Sequence, residues 1–336
     1  MYFFFLPLLV SVLPKASFGD WWSLGKGPAV TTVELFAWNY SYVRDECPFL
    51  AEHGYSAVQV SPVQEHAVPP NAPERGNSWV DPYHPVGYRL SSYYGSRQDF
   101  IDMLNACKSV GISVIVDVVL NNFPPANLVY GTNGMASTAP EPGKVYFDSR
   151  DGVEQFTSPP FVEFHFNDAR CPPILNAVHY LLKSNGNATL VRNCRFQHEL
   201  DLDQSQWWVR RKIKKFFNDL LSLGVAGFRI GKAGYMWPED LGFILNSLDE
   251  ERPFILHDVL DFGREIISGT EYAGLGRFTD YYYSGRLKEL VVDGSLNFQN
   301  WDSSKTLFAG QQVVTFMDSH VLQRHYPVIN FTSRAD

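Results

Sequence analysis

Short apolar runs alternate along most of this chain with longer amphipathic stretches. Seven of the runs are rich in β-branched or aromatic residues and are flanked by turn-forming residues, so they predict buried β-strands. They cover residues 32–38, 57–61, 112–120, 225–230, 254–260, 278–283 and 313–318. Segments such as 97–110 and 206–223 repeat apolar residues every three or four positions and predict helices between the strands. This alternation predicts βα units and a parallel sheet.

Two architectures share such an alternation, the (β/α)8 TIM barrel and the open doubly wound sheet. No glycine-rich phosphate loop follows the first predicted strand, and polar side chains stand at the carboxyl ends of several strands, which favours the barrel. The pattern contains no eighth strand, because the chain ends about 18 residues after Asp318. We therefore expect an α/β barrel truncated after strand seven, with two open strand edges.

One long interval, 122–203, breaks this rhythm. It is rich in Pro, Gly and Asn and contains two of the four cysteines. It is predicted to form an irregular domain inserted after the third strand. The barrel would then consist of residues 20–121 and 204–336.

The first 19 residues, MYFFFLPLLVSVLPKASFG, resemble a secretory signal peptide, with Ser17 and Gly19 at positions minus three and minus one of a cleavage site. The segment lacks a basic amino-terminal region, and a membrane anchor is the alternative. Pro7 and Pro14 interrupt the apolar run, which is short for a bilayer span. We expect a secreted, extracellular protein, and no later segment is long and apolar enough to cross a membrane.

The cysteines and sequons agree with secretion. Cys47, Cys107, Cys171 and Cys194 are widely spaced and form no CxxC pair, so two disulfides are expected in a secreted chain. Sequons begin at Asn39, Asn187 and Asn330, which would make the protein a glycoprotein, although such triplets also arise by chance.

Charge and aromatic content narrow the class of partner. The chain has 28 Lys and Arg against 36 Asp and Glu, and this acidic balance gives no electrostatic basis for binding nucleic acid or an anionic membrane. Aromatic residues make up 15% of the chain. They fit sugar-binding platforms and equally well an aromatic-rich core.

Four strand-end segments carry a family resemblance. DVVLNN (117–122), GFRIGKAGYMWP (227–238), FILHDVLD (254–261) and FMDSH (316–320) resemble, in order and separation, the four signature segments of animal-type α-amylases. ELFAW, VQVSP, the loop 77–90 and the segment 191–203 are also similar. The resemblance covers nearly the whole mature chain.

The resemblance implies a calcium-dependent secreted glycoside hydrolase that acts on α-glucans at the carboxyl-terminal face of a (β/α)8 barrel. It also implies that the insert is the family's second domain, whereas we expect the family's carboxyl-terminal β domain to be absent from this chain. In the family, the cysteines that match Cys47 and Cys107 pair, as do those that match Cys171 and Cys194.

The catalytic positions depart from the family. Retaining hydrolysis of a glycosidic bond needs a carboxylate nucleophile and a second carboxyl group, about 5 Å away, that acts as general acid and base. The family's nucleophile, acid and transition-state stabiliser match Gly231, Asp258 and Val321. Glycine cannot form a glycosyl bond, Asp258 is one methylene shorter than glutamate, and valine offers no charge. We expect a catalytically inactive pseudoenzyme.

The residues around the catalytic positions match the family only in part. Five residues that match the family's substrate-binding positions are present: Trp79, Tyr83, Asp117, Arg229 and His320. The family's histidine is replaced by Asn122, its lysine–histidine pair by Gly234 and Tyr235, and one stacking tryptophan by Val80. The five residues would either line a sugar-binding surface or persist as packing and strand-end support.

Two inorganic ions belong to the family pattern. The calcium ligands match the side chains of Asn121 and Asp201 and the backbone carbonyls of Arg192 and Tyr235, all oxygen donors as calcium prefers. A structural calcium is expected, although Asp201 alone is also typical of a solvated acidic turn. The chloride site is only partly present, because Arg229 matches one ligand and Ser319 replaces an asparagine.

Three hypotheses of function stay open at this point. The first is an inactive α-amylase-like protein that binds an α-glucan, an oligosaccharide or another partner. The second is an active hydrolase of α-1,4-glucans that uses substitute carboxylates such as Asp117, Asp280 or Asp318, with Asp258 as acid. The third is a truncated or non-functional gene product. The oligomeric state stays open between a monomer and a chain whose partner covers the barrel edge.

Overall fold

The computed structural model describes residues 31–68, 79–124, 129–131, 144–145, 155–157, 160–171, 187–196, 199–249, 253–291 and 313–325. The expected signal peptide and the sequon at Asn330 lie outside these residues.

The described strands are β1 (Thr32–Leu35), β2 (Ala57–Val60), β3 (Gln64–Val68), β4 (Pro85–Leu90), β5 (Ser113–Val119), β6 (Asn122–Phe123), β7 (Val129–Gly131), β8 (Lys144–Val145), β9 (Gln155–Thr157), β10 (Pro160–Val162), β11 (Leu200–Asp201), β12 (Gly227–Gly231), β13 (Phe254–His257), β14 (Arg277–Asp280) and β15 (Val313–Thr315). The described α-helices are α1 (Tyr40–Glu52), α2 (Arg97–Ser109), α3 (Ala188–Asn193), α4 (Trp207–Ser222), α5 (Pro238–Leu245), α6 (Tyr281–Val291) and α7 (Leu322–His325).

Seven parallel strands form the central sheet in the order β1-β2-β5-β12-β13-β14-β15, which is also their order along the chain. Neighbouring strands of one sheet joined by helices are the βα units that the sequence predicts. The sheet curls so far that His320, just after β15, contacts Glu34 on β1 at 2.7 Å. The expected fold class, a (β/α)8 barrel represented by seven strands, is confirmed.

Four predicted strands end earlier than expected: 32–38 ends at Leu35, 254–260 at His257, 278–283 at Asp280 and 313–318 at Thr315. The run 278–283 predicts an extended segment because its three tyrosines favour strands. Instead β14 ends at Asp280 and α6 begins at Tyr281. The Asp280 carboxylate accepts a hydrogen bond from the Tyr283 backbone N–H at 2.9 Å, which caps the first turn of the helix.

The amphipathic helices cover the sheet as their apolar spacing predicts. The buried face of α4 is formed by Val209, Ile213, Phe216, Phe217, Leu220 and Leu221. The ring centroid of Phe217 lies 4.4 Å from that of Phe228 on β12. This contact joins the helical layer to the strand that carries the family's main signature.

Both disulfides implied by the family resemblance are present. Cys47 on α1 pairs with Cys107 on α2, and Cys171 pairs with Cys194 at the end of α3. The first bond links two adjacent barrel helices. The second links two parts of the interval 122–203. Closing a loop in this way restricts the unfolded chain and so favours the folded state.

The interval 122–203 leaves the barrel and returns to it at one place. Its first strand, β6, pairs antiparallel with its last, β11, with Asn122 opposite Asp201. Within the interval, β7 pairs with β8 and with β3 of the preceding loop, and β9 pairs with β10. Among the described helices, none is long and apolar enough to cross a membrane.

A buried histidine on β13 predicts acid sensitivity. Burial lowers the pKa of His257 to about 3, although a backbone contact from Leu275 opposes the shift. Below about pH 6.5 the unfolded chain gains a proton that folded His257 does not take up. The free energy of unfolding should therefore fall as pH decreases from about 6.5 towards 3.

Acidification from pH 7.5 to 5 lowers the free energy of unfolding, and the substitution His257→Gln should make this decrease smaller by about 2 kcal/mol. Denaturant unfolding at the two pH values measures it. His53→Gln, at an exposed position on the protein surface, is the control. If His257→Gln and the unchanged protein lose the same stability on acidification, His257 is not the group responsible.

Candidate active site

Polar side chains gather at the carboxyl ends of the parallel strands. In the register of the sheet, Arg229 on β12 lies opposite Asp117 on β5, and Glu34 on β1 lies opposite Gln59 on β2. Asp258 directly follows β13, and His320 follows β15. Because all parallel strands end at the same edge of the sheet, residues distant in sequence meet there.

Arg229 lies at the centre of this group. Its Nη1 donates to Asp117 Oδ2 at 2.6 Å, and its Nη2 donates to Asp258 Oδ2 at 2.9 Å. Arg229 and Asp117 are buried. Burial opposes the charge on Arg229, but the two carboxylates outweigh it and raise the pKa of Arg229 well above its usual value.

A second set of contacts extends from Asp117 to the first strand. Tyr83 OH donates to Asp117 Oδ2 at 2.6 Å and lies 2.8 Å from His320 Nε2. His320 Nδ1 lies 2.7 Å from Glu34 Oε1, which also accepts from Gln59 Nε2 at 2.9 Å.

These residues, with Tyr281, form one continuous chain of hydrogen bonds that we name the strand-end network: Gln59, Glu34, His320, Tyr83, Asp117, Arg229, Asp258 and Tyr281. Burial raises the pKa of Asp117 despite the nearby Arg229. Burial also acts to raise the pKa of Glu34, but the hydrogen bond and charge of His320 lower it.

The Asp258 carboxyl is fully engaged by this network. Its Oδ1 accepts from Tyr281 OH at 2.9 Å, while Oδ2 accepts from Arg229 and, at 3.4 Å, from the Lys232 backbone N–H. A general acid carries a proton on one carboxyl oxygen and offers it to the substrate. Both oxygens of Asp258 instead accept hydrogen bonds from protein groups.

Gly231, at the end of β12, leaves a hollow beside Asp117. A Cβ atom added there would lie 3.4 Å from Val118 O, 3.5 Å from Asp117 Oδ1 and 3.7 Å from Tyr83 Cε1, which are ordinary contact distances. A Cβ atom is therefore sterically allowed at Gly231. Among the described residues, none forms a hydrogen bond with Asp117 Oδ1, the oxygen that faces the hollow.

Aromatic rings border the network on the side of His320. Phe36 stacks on the His320 ring with centroids 4.3 Å apart, and Trp79 lies edge-on to Tyr83 and His320 at 6.3 and 5.9 Å. Val321, next to His320, is partly buried. The structure thus brings together all five residues predicted to bind substrate, and it places them in contact with one another.

The network also contains residues that the sequence interpretation missed. Glu34, Gln59 and Tyr281 are members of it, and Phe36 packs on it. A signal was available for two of them, because Glu34 and Gln59 are polar residues inside otherwise apolar strands. Their pairing needed the register of β1 and β2.

A second missed cluster joins the strand end to the insert. Lys232 follows Gly231 and adopts a left-handed conformation with φ of 52°. Its Nζ binds the two carboxylate oxygens of Glu199 at 2.8 and 2.6 Å, and His84 Nε2 lies 3.0 Å from the same carboxylate. Burial acts to raise the pKa of Glu199, but Lys232 and His84 lower it.

The two side chains expected to hold calcium, Asn121 and Asp201, are buried and hydrogen-bonded to each other. Asp201 Oδ1 accepts from Asn121 Nδ2 at 2.6 Å, and Oδ2 accepts from Asn167 Nδ2 at 3.0 Å. Burial raises the pKa of Asp201 well above its usual range. Asn167 Oδ1 is buried and has no hydrogen-bond partner among the described residues. A buried carboxylate beside an unused amide oxygen fits a hard cation.

The two expected carbonyl donors lie on adjacent segments. Arg192 belongs to α3, which contacts the turn Ala233–Tyr235. The Arg192 side chain points elsewhere, to Glu271 Oε2 at 2.8 Å and over the ring of Trp237. In the described part of the chain, no group of three or more His, Cys, Asp or Glu side chains could hold a metal ion. Any calcium site here would depend on amide and backbone oxygens.

The two residues of the expected chloride site have other contacts. Arg229 directs Nη1 and Nη2 to Asp117 and Asp258. Ser319 Oγ accepts from the Leu322 backbone N–H at 3.3 Å, at the start of α7.

The sequence and the fold were compared with known proteins. The family model described as "Alpha amylase, catalytic domain" matches residues 43–260. Rat pancreatic alpha-amylase is 32% identical over 306 residues, which cover 87% of this chain and 56% of the rat protein. An alpha-amylase-related protein of Drosophila elegans is 33% identical over 327 residues, covering 93% of this chain and 60% of that protein.

A solved structure has a similar fold. Wild-type alpha-amylase I of Eisenia fetida superimposes with a TM-score of 0.77 at 29% identity, covering 92% of this chain and 61% of that one. The chain spans about six tenths of the length of these relatives. The family model, the curated relatives and the superposition agree, and the chain therefore belongs to the α-amylase family of glycoside hydrolases.

Proposed function

We propose that this chain is a secreted, catalytically inactive member of the family whose strand-end site binds an α-glucan without cleaving it. The observation that supports this most directly is the hollow at Gly231. The carboxylate nearest to it, Asp117, is held by Tyr83 and Arg229. Val321 supplies no charge where the family has its third acidic group.

The hypothesis of an active hydrolase with substitute carboxylates has less support. Asp280 is fully buried and accepts from the Tyr283 backbone N–H. Asp318 accepts from the Ser319 backbone N–H and from the Gln323 side chain. Retaining hydrolysis needs two carboxyl groups that face one glycosidic bond. Each of these carboxylates instead has a local structural role.

Glucan binding is supported by what remains in the site. The partly exposed Trp79 offers an aromatic face for a sugar ring beside Tyr83 and His320. A point mutant of Eisenia fetida alpha-amylase I, 28% identical to this chain with a TM-score of 0.75, was solved as a complex with maltohexaose. An α-1,4-linked oligosaccharide is therefore the ligand class we propose.

Secretion and calcium binding complete the proposal. The amino-terminal segment resembles a signal peptide, and the two disulfides suit an oxidising compartment. Calcium would be held by Asp201 and Asn121, with Asn167 as a further donor and the carbonyls of Arg192 and Tyr235 nearby. It would neutralise the buried Asp201 carboxylate and so stabilise the junction between barrel and insert.

The first test separates binding from turnover. Calorimetry with maltohexaose should show binding, while chromatography of the same mixture shows no shorter products. Trp79→Ala should weaken binding about tenfold, because loss of ring stacking costs about 1–1.5 kcal/mol. Phe49→Ala, at an exposed aromatic position on α1, is the control and should leave the affinity unchanged. Product formation that Asp258→Asn abolishes would refute the proposed inactivity.

The second test restores the missing groups. Gly231→Asp, Asp258→Glu and Val321→Asp together should give starch hydrolysis at least about a hundredfold above the unchanged protein, because each carboxyl group contributes a large factor to the rate. The same triple variant with Gly231→Asn is the control and should stay at the level of the unchanged protein. Activity in the unchanged protein equal to that of the restored triple would contradict the assignment of these positions.

The third test concerns calcium. Calcium at about 100 times its dissociation constant should stabilise the fold by about 2.7 kcal/mol and raise the melting temperature by several degrees. Asp201→Asn should abolish this rise and, without calcium, be at least as stable as the unchanged protein, since it removes a buried carboxylate. Asp102→Asn, at an exposed position on α2, is the control. A rise that survives Asp201→Asn would place calcium elsewhere.

A further inference from the structure

The outer face of α4 carries an unusual row of side chains. Trp207, Arg211 and Lys215 are four residues apart and all exposed, so they form one line along the helix. Lys212 lies beside this line, with its Nζ 4.4 Å from the ring centroid of Trp208. The opposite face of α4 is buried against the barrel. This line points away from the sheet.

In the residues that the structure describes, the cations of this row and the neighbouring Lys212 have no acidic partner, unlike other cations of the same helix. Arg210 pairs with Asp240 and Lys214 with Asp249, both at 2.6 Å. Within the described part of the chain, no carboxylate forms an ion pair with Arg211, Lys212 or Lys215. Partial burial lowers the pKa of Lys212, and repulsion from Lys215 and Arg211 lowers it further.

These three cations stand together in a chain whose net charge is -8. Like charges within one or two helical turns repel one another, so their clustering costs stability. An anion bound across them would relieve the repulsion. The row therefore has the charge complementary to an anionic ligand.

Two exposed aromatic rings lie at one end of the row. Phe164 and Trp207 are the most exposed large apolar side chains among the described residues, at 70% and 68%. Gln206 Nε2 donates to the Phe164 carbonyl at 2.6 Å, which holds the Phe164 segment at the amino-terminal end of α4. Exposed aromatic faces bordered by polar groups are typical of binding surfaces.

We propose that this face of α4 binds an anionic polysaccharide. Arg211, Lys212 and Lys215 pair with its sulfate or carboxylate groups, and a sugar ring stacks on Trp207, with Phe164 beside it. The surface lies on the outer helical layer, apart from the strand-end network. It therefore does not depend on glucan binding at the carboxyl ends of the strands.

The dimensions of the row favour a glycan over two other polyanions. Trp207 to Lys215 spans about 12 Å along the helix, with the ring and the cations in one line. Nucleic-acid domains usually have a net positive charge and contact many phosphates, whereas this chain is acidic. A membrane surface would favour apolar side chains along the whole helix face rather than at one end.

The experiment measures binding of the full chain to immobilised heparin at about 50 mM salt, where charge interactions are weakly screened. We expect binding that weakens at least about tenfold in about 0.3 M salt and is absent on neutral dextran. Arg211→Glu with Lys215→Glu should lower the affinity at least about tenfold. The control, Arg44→Glu with Lys108→Glu, makes the same charge change at exposed positions on α1 and α2 and should have a much smaller effect.

Trp207→Ala distinguishes a glycan from other polyanions. It should weaken heparin binding about threefold or more while the melting temperature stays unchanged. The proposal is overturned if the folded protein fails to bind heparin, or if both charge pairs lower the affinity equally. It is also overturned if single-stranded DNA or phosphatidylserine vesicles bind more tightly than heparin.

Discussion

The buried ion contacts of Arg229 are the interaction on which the site depends. From its place on β12, the guanidinium joins carboxylates of the two neighbouring strands, Asp117 on β5 and Asp258 just after β13. Removing one partner would leave a buried charge uncompensated. Such a change lowers the free energy of unfolding by about 3–5 kcal/mol. The parallel register that places Arg229 opposite Asp117 is therefore fixed by charge as well as by the apolar core.

The contacts of Arg229 belong to a wider set that joins several strands. Through Tyr83 and His320 the contacts extend from Arg229 to Glu34, so that the first and the seventh strands of the sheet are joined by side chains. Each side chain of the network is held by another protein group. Catalytic groups must instead direct their reactive atoms to the substrate. In this chain the polar groups bind mainly one another, and Gly231 presents no side chain beside Asp117.

The insert is attached to the same edge of the sheet by separate contacts. Lys232 and His84 bind Glu199, and Arg192 packs between the rings of Trp237 and Tyr272 while pairing with Glu271. The barrel and the insert thus meet through charged groups whose partners come from distant parts of the chain.

Local spacing and residue identity were enough to predict the parallel sheet, the main helices and the family. They misplaced the end of β14, since the tyrosines after Asp280 favour a strand until the Asp280 carboxylate caps a helix. Only the folded chain shows that Glu34, Gln59 and Tyr281 belong to the site. It also shows that both oxygens of Asp258 accept hydrogen bonds. Those contacts join residues up to 286 positions apart, and the curvature and register of the sheet, which no local pattern encodes, bring them together.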